Sequence, residues 1–240
     1  MRPTVHAGPN TLSISGITGV GEVRPGDDLG ALISGAADLQ ERDIVVVTQK
    51  VVSKAEGRLV EVDHGDTGAR RRVVEREAVR VLRRRGELII AETPHGFVCA
   101  NAGVDFSNVP EGQAALLPRD PDRSAQRIRD GIAAAGGPPV GVVVSDTFGR
   151  PWRRGLTDVA IGCAGVLAVL DLRGTADAGG RRLQVTEVAI ADELAAAAEL
   201  VMGKDRGIPA AVVRGAPRAW FGDGRALRDL PRAAGEDLFR

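Results

Sequence analysis

The stretch VGVVVSDTFGRPWRR (140–154) sets the frame for the rest of the chain. Residues 140–144 form an apolar run that stops at Ser145, Asp146 and Thr147. A short apolar run bounded by turn residues reads as a strand buried on both faces. A carboxylate and a hydroxyl then stand where the strand surfaces, followed by Gly149, Arg150, Arg153 and Arg154. Hard oxygen ligands beside forked guanidiniums suit a divalent metal and a phosphorylated ligand. The plainer reading of the same residues is a strand ending in a turn, with Asp146 capping backbone amides.

Working outward, further strands are expected over 12–17, 43–48 (DIVVVT), 87–92, 166–172 and 210–214. Helices are expected over 27–39, where paired aspartates suit a helix start, and over 70–85, 124–135 and 186–202. The many arginines of 70–85 read as a solvated helix face. TDVAIGCAG (157–165) reads as a tightly packed helix or turn. Loops are expected at 18–23, closed by Arg24-Pro25-Gly26, at 64–69, and through the Gly-, Asn- and Asp-rich 95–111. The tail beyond Gly215 reads as irregular. Strands and helices mix without strict βαβ alternation, so the expected class is α+β with mixed or antiparallel sheets rather than a doubly wound sheet.

The 240 residues are 43% hydrophobic and 27% charged, as in an ordinary globular protein with a sizeable core. Aromatics make up 3% and Tyr is missing, so Val, Leu, Ile and Ala must supply that core. Lys and Arg total 32 against 32 Asp and Glu, which argues against a general nucleic-acid binder. Cys99 and Cys163 sit in apolar surroundings without a CxxC pair, and read as small buried hydrophobes in a reducing compartment. No apolar run approaches the ~20 residues a membrane span needs. The opening MRPTVHAGPN lacks a signal peptide's apolar centre. A cytoplasmic protein is the expectation.

There is no GxxxxGK[ST], no GxGxxG after a strand and no HExxH. His6, His64 and His95 are too scattered to support Ser/His/Asp catalysis. Oxygen ligands remain. Asp105 lies in NAGVDFSN (101–108), and with Asp146 it offers two carboxylates from separate loops for a divalent cation pair. Lys54, just beyond a strand end, suits a phosphate as a point charge or is simply a solvated lysine. Asn108 suits a base or ribose, or an Asx turn.

Several segments, in this order and spacing, resemble the coenzyme F420-0:L-glutamate ligases, the gamma-glutamyl ligases of deazaflavin biosynthesis. They are ITGVGEVRPGDDL (17–29), DIVVVTQKVVSKAEGRLV (43–60), NAGVDFSNVPEG (101–112), LLPRDPDRSA (116–125), GVVVSDTFGRPWRRGLTDVAIGCAG (141–165) and VTEVAIADELAAAAELVMGK (185–204). The resemblance implies an enzyme that uses GTP and Mg²⁺ or Mn²⁺, two ions in all, to join L-glutamate to coenzyme F420-0, with K⁺ as a further candidate cofactor. It places Val20, Gly21, Glu22 and Val23 on a first GTP-binding loop and Thr48 and Gln49 on a second. Lys54 and Asn108 contact the nucleotide. Asp105, Asp146 and Thr147 bind metal, and Asp105, Asp146 and Lys54 form the catalytic set. Met202, Gly203, Lys204 and Gly207 fall on a loop (202–208) that closes over the nucleotide. Some members carry an acidic or amide metal ligand where this chain has Lys204, and the loop MGKDRGI is shortened. That leaves the second metal open between Asp205 as a substitute ligand and Lys204 as a phosphate contact.

The resemblance further implies a single ligase unit over 1–240 in two discontinuous lobes, a fold that is neither ATP-grasp nor Rossmann, and an intertwined homodimer. In some actinobacterial relatives a flavin-binding reductase-like domain follows; this sequence reaches Arg240, where such a domain would begin, so none is expected within it. The chemistry fits the residues: converting a carboxylate to an acyl phosphate needs positioning and charge neutralisation rather than a protein nucleophile. Arg150, Arg153 and Arg154 are the candidates to hold substrate phosphate or carboxylates, or they pair with Asp158 or Asp171. Two rival readings keep the nucleotide: a ligase for another carboxylated metabolite, and a GTP- or coenzyme-binding relative without catalysis. A phosphatase-like metal hydrolase is disfavoured by the scarcity of histidine.

Overall fold

A computed structural model describes residues 11–63, 66 and 68–237. His6, His64 and part of the expected 64–69 loop lie outside them. In chain order the elements are β1 (Ser13–Ile17), α1 (Leu29–Ala36), β2 (Ile44–Thr48), α2 (Gln49–Ala55), β3 (Leu59–Glu61), α3 (Ala69–Glu77), β4 (Arg80–Arg85), β5 (Leu88–Glu92), β6 (Val98–Ala100), β7 (Gln113–Ala115), α4 (Pro121–Ala134), β8 (Gly141–Arg150), β9 (Arg153–Ala164), β10 (Leu170–Asp171), β11 (Glu187–Val188), α5 (Ile190–Met202), β12 (Ala210–Arg214) and α6 (Ala226–Asp229).

The central sheet runs β1-β12-β2-β8-β9, and only its β2–β8 pair is parallel. Smaller sheets, β4-β5-β6, β3-β7 and β10-β11, complete an α+β architecture. It is neither a doubly wound sheet nor a barrel. Valines make the central sheet. In β2, Val45 and Val47 face one hydrophobic cluster with α1 and α4, while Ile44 and Val46 face another beneath α5. β8 does the same, with Val142 and Val144 on the first face and Val143 on the second. This is the double burial that a continuous apolar run predicts. Each fully buried Val contributes about 1.5–3 kcal/mol. A third cluster, including Val62, Val73, Val74, Ile89 and Leu116, gathers α3 with the β4-β5-β6 and β3-β7 sheets.

Several expected boundaries are corrected. The helix expected over 70–85 ends at Glu77. Residues 80–85 instead pair antiparallel with β5, and that ladder overrides their local helical pattern. The arginines of α3 do lie on its solvated side. TDVAIGCAG is strand, not helix: it belongs to β9, which pairs along the whole of β8. Its small residues serve close approach. A Cβ on Gly162 would lie 2.2 Å from the Pro121 carbonyl oxygen at the start of α4. The helix expected over 186–202 begins only at Ile190, because Glu187 and Val188 pair with β10. The strand expected over 166–172 contracts to Leu170–Asp171. α1 stops at Ala36 rather than 39, with Asp28 accepting from the Ala31 amide at 3.1 Å. α4 starts early because Asp120 caps the Arg123 amide and Pro121 opens the first turn.

The tail is not wholly irregular. α6 is pinned by buried Asp122 of α4, which accepts from the amides of Ala226 (2.8 Å), Leu227 (3.1 Å) and Cys163 (2.8 Å). Both cysteines are buried and unbridged. Burial, reinforced by Asp146 for Cys99 and by Asp122 for Cys163, pushes each thiol up to about 12. Among the described residues no helix is long and apolar enough to cross a membrane.

Candidate active site

The site is built where β2 and β8 end side by side. Thr48 stands opposite Ser145 in the parallel pair, and α2 begins at the next residue, Gln49. Lys54 therefore lies on a helix rather than just past a strand. It is only 13% exposed, and its ammonium meets Glu22 of the glycine-bearing loop at 2.7 Å. Lys50, one helical turn earlier on the same face, points to Asp105.

β8 does not stop at Ser145. It runs on through Ser145, Asp146 and Thr147 to Arg150 as one arm of a long hairpin with β9. A bulge lies at the site: Val144 pairs with Gly162 but Ser145 with Ala160, leaving Ile161 as the extra residue. Bulges of this kind re-aim side chains and are common beside active sites. Beyond it, alternation along the strand places Asp146 on one face and Ser145 and Thr147 on the other.

On the first face, Asp146 accepts from the Thr147 amide at 2.8 Å. Burial raises its carboxyl to about 7, and the nearby charges of Asp105 and Asp158 push the same way, outweighing Lys50. Asp105 is brought in by backbone pairing with Ala115. It holds Lys50 at 2.8 Å and accepts from the Ser107 amide (2.7 Å) and hydroxyl (2.8 Å). Burial alone would raise the Asp105 carboxyl, but Lys50 and Ser107 together hold it below its usual range.

On the second face, Asp158 of β9 stands opposite Thr147 and is 2% exposed. It accepts from Thr147 Oγ1 at 2.6 Å, Ser145 Oγ at 3.1 Å and Lys204 Nζ at 2.6 Å. Lys204 also donates to Thr147 Oγ1 and lies 3.5 Å from Glu199. Asn108 Nδ2 donates to the Lys204 carbonyl at 3.5 Å, which brings two expected nucleotide contacts together. Gly203, at φ 64, ends α5 in a conformation that suits glycine and turns the chain toward the hairpin.

The remaining expected residues divide by burial. Val20, Val23 and Met202 are core side chains, so only their backbone is free to meet a nucleotide. Gly21 and Gly207 sit at positive φ in the loops flanking the site. Gln49 is buried, and its Nε2 has no hydrogen-bond partner. Arg150, Arg153 and Arg154 cluster at the exposed tip of the hairpin, where Arg150 donates to the Arg154 carbonyl at 2.8 Å. The alternative pairings for these arginines are taken by other cations: Asp158 holds Lys204 and Asp171 holds Arg173.

Sequence reasoning missed Lys50, Ser107, Glu199 and the central role of Asp158. Reading 157–165 as a strand would have found Asp158, because antiparallel pairing with β8 then sets it beside the Asp146-Thr147 pair. Among the described residues no three Asp, Glu, His or Cys side chains gather as a ready metal cage. The donor chemistry of Asp105 and Asp146 nonetheless fits a hard divalent cation: carboxylate oxygens, with no thiolate or imidazole among them. Gln49 Nε2, without a partner while its Oε1 accepts from Ser53 Oγ at 2.9 Å, similarly fits a polar ligand at the end of β2.

The family model described as F420-0:Gamma-glutamyl ligase matches residues 18–215. A coenzyme F420:L-glutamate ligase from Methanopyrus kandleri is 44% identical, the alignment covering 96% of this chain and 98% of that protein. Its namesake from Methanothermobacter thermautotrophicus is 41% identical over 95% and 99%, respectively. A third, from Methanocaldococcus jannaschii, is 44% identical over 84% and 86%. The chain belongs to the F420-0:gamma-glutamyl ligase family.

Proposed function

We propose that this protein joins L-glutamate to coenzyme F420-0 through an amide bond, with GTP as the phosphoryl donor and a divalent cation, Mg²⁺ or Mn²⁺, at Asp105 and Asp146. The observation that carries the reading is near full-length similarity to relatives named for that ligation. The site supports it by what it contains. Both thiols are buried and held protonated, and His95 bonds the Arg119 carbonyl rather than a serine, so neither a cysteine nor a Ser/His/Asp nucleophile is offered among the described residues. Carboxylates and lysines dominate instead, as a phosphoryl-transfer site requires.

In this reading the lactyl carboxylate of coenzyme F420-0 attacks the γ-phosphorus of GTP. The bond from that phosphorus to the bridging oxygen breaks, and GDP leaves. The glutamate amine then attacks the acyl carbon, inorganic phosphate departs with the original carboxylate oxygen, and the amine loses its proton to give the amide. When bound, the cation supplies charge neutralisation to the phosphate oxygens. Lys54, anchored by Glu22, is positioned as a point charge for the nucleotide phosphates. Lys50 and Ser107 orient Asp105. Gln49 and Asn108 offer amides to the nucleoside. Arg150, Arg153 and Arg154 present forked donors to the acidic groups of the substrate. The exposed Trp152 (81%) and Leu156 (68%) on the same hairpin support a homodimer, which sedimentation would test.

The test is to incubate protein with coenzyme F420-0, L-glutamate, GTP and Mn²⁺ and follow product mass and GDP together. One GDP per glutamate added is expected. GDP release without glutamylated product points to another acceptor and overturns the assignment.

A further inference from the structure

The loop after α5 places a cation inside the site. Lys204 Nζ meets three oxygens from three side chains: Asp158 Oδ1 at 2.6 Å, Thr147 Oγ1, and Glu199 Oε1 at 3.5 Å. An ammonium has three donors and no acceptor; two of them are used by Asp158 and Thr147, and Glu199 lies at ion-pair distance beside the third. Two carboxylates and a hydroxyl are also the ligand type a hard divalent ion would use. The lysine thus occupies, by covalent tether, the position such an ion would take on this face.

The surroundings favour the tethered ion. Asp158 is 2% exposed, and a buried carboxylate needs a paired cation and filled lone pairs. Thr147, Ser145 and Lys204 supply both. Thr147 Oγ1 is doubly engaged, donating to Asp158 and accepting from Lys204, which leaves it poorly placed to coordinate a metal. Attachment to the chain gives the ammonium a high effective concentration that a free ion must overcome. A divalent ion arriving here would also face the charge of Lys204 at close range. The opposite face differs, because there Asp146 receives only a backbone amide among its described hydrogen bonds.

We propose that Lys204 is the resident cation of the Thr147–Asp158 face, so that each chain binds a single divalent ion, on the Asp105–Asp146 face. The second half of this statement rests on the metal-dependent reading above. The same contact fixes the 203–208 loop to the hairpin without any metal.

Metal-stripped full-length protein, without nucleotide, would be titrated with Mn²⁺ and free ion counted by electron paramagnetic resonance. The expected result is one site in the wild type, none in Asp146→Asn, one in Lys204→Arg and two in Lys204→Gln. Two sites in the wild type, or a count that stays at one in Lys204→Gln, overturns the proposal. So does the absence of Mn²⁺ binding in every variant. A failure of the ligase reading shows separately, as missing glutamylation whatever the ion count.

Discussion

The two faces of the β8–β9 hairpin treat a buried carboxylate in opposite ways. Asp158 is surrounded by donors: two hydroxyls and an ammonium complete its hydrogen bonding. Asp146, on the opposite face and one register step away, lies near the charge of Asp105 and, among the described residues, accepts only from the Thr147 amide. Burial and like charge raise it to about 7. The satisfied carboxylate ties the 203–208 loop to the hairpin, whereas the other is the one that, in the proposed reading, a divalent cation would neutralise.

The comparison breaks first at Asp146. Asp146→Asn should cut glutamylation roughly a thousandfold, the scale on which removal of a central electrostatic group acts. The same change relieves the cost of a buried charge, so the thermal midpoint of metal-free protein should hold or rise. A midpoint that collapses would make Asp146 a structural residue instead.

The pH dependence of stability sharpens the same point. The Asp146 carboxyl is raised from 3.8 to about 7 on folding. Between those values the folded state keeps a proton that the unfolded state releases, so stability falls as pH rises through that window and is level above it. Each pKa unit is worth about 1.4 kcal/mol, so a drop of roughly 4 kcal/mol is expected across the whole window for metal-free protein, roughly 2–3 kcal/mol of it between pH 5 and pH 7. Asp105, lowered on folding, acts in the other direction: its contribution is present above the usual carboxylate range and lost as pH falls. Denaturant midpoints at pH 5 and pH 8 should differ in the wild type and converge in Asp146→Asn.

On the other face, Asp158→Ala leaves Lys204, Thr147 and Ser145 without their shared acceptor. A loss of about 2 kcal/mol is expected, discounted because Lys204 is 53% exposed. In a chain of this size that lowers the melting temperature by roughly 4–8 °C. A change in activity without a change in melting would place Asp158 in the chemistry.

The smallest structural effect belongs to the hairpin tip. Arg150→Ala, Arg153→Ala and Arg154→Ala should each alter stability by less than about 0.5 kcal/mol, as surface changes usually do. The KM for coenzyme F420-0 should rise severalfold while kcat holds. Unchanged KM in all three would remove these arginines from substrate binding.

The central sheet was legible because its signal is local. Val142 to Val144 and the valines of β2 read as buried strand at a glance, and they are. β9 was not legible. Its Gly, Ala and Cys residues carry weak β-propensity, and only the ladder to β8 and the contact of Gly162 with α4 select the extended form. The split at Glu77 was hidden for the same reason, since β4 owes its form to β5 rather than to its own arginines. Within the site, motif order pointed to Asp105, Asp146 and Thr147, but not to their division between two faces. That division follows from strand alternation past a bulge, which has no local sequence mark. The contact of Lys204 with Asp158 joins residues 46 positions apart, and only the folded loop brings them together.

The most direct test of the account is an oxygen-transfer experiment. Coenzyme F420-0 labelled with ¹⁸O in its lactyl carboxylate would be turned over with L-glutamate, GTP and Mn²⁺, and the released phosphate analysed by mass. Phosphoryl activation of that carboxylate predicts one ¹⁸O atom in phosphate for each amide formed. Unlabelled phosphate alongside glutamylated product would contradict it.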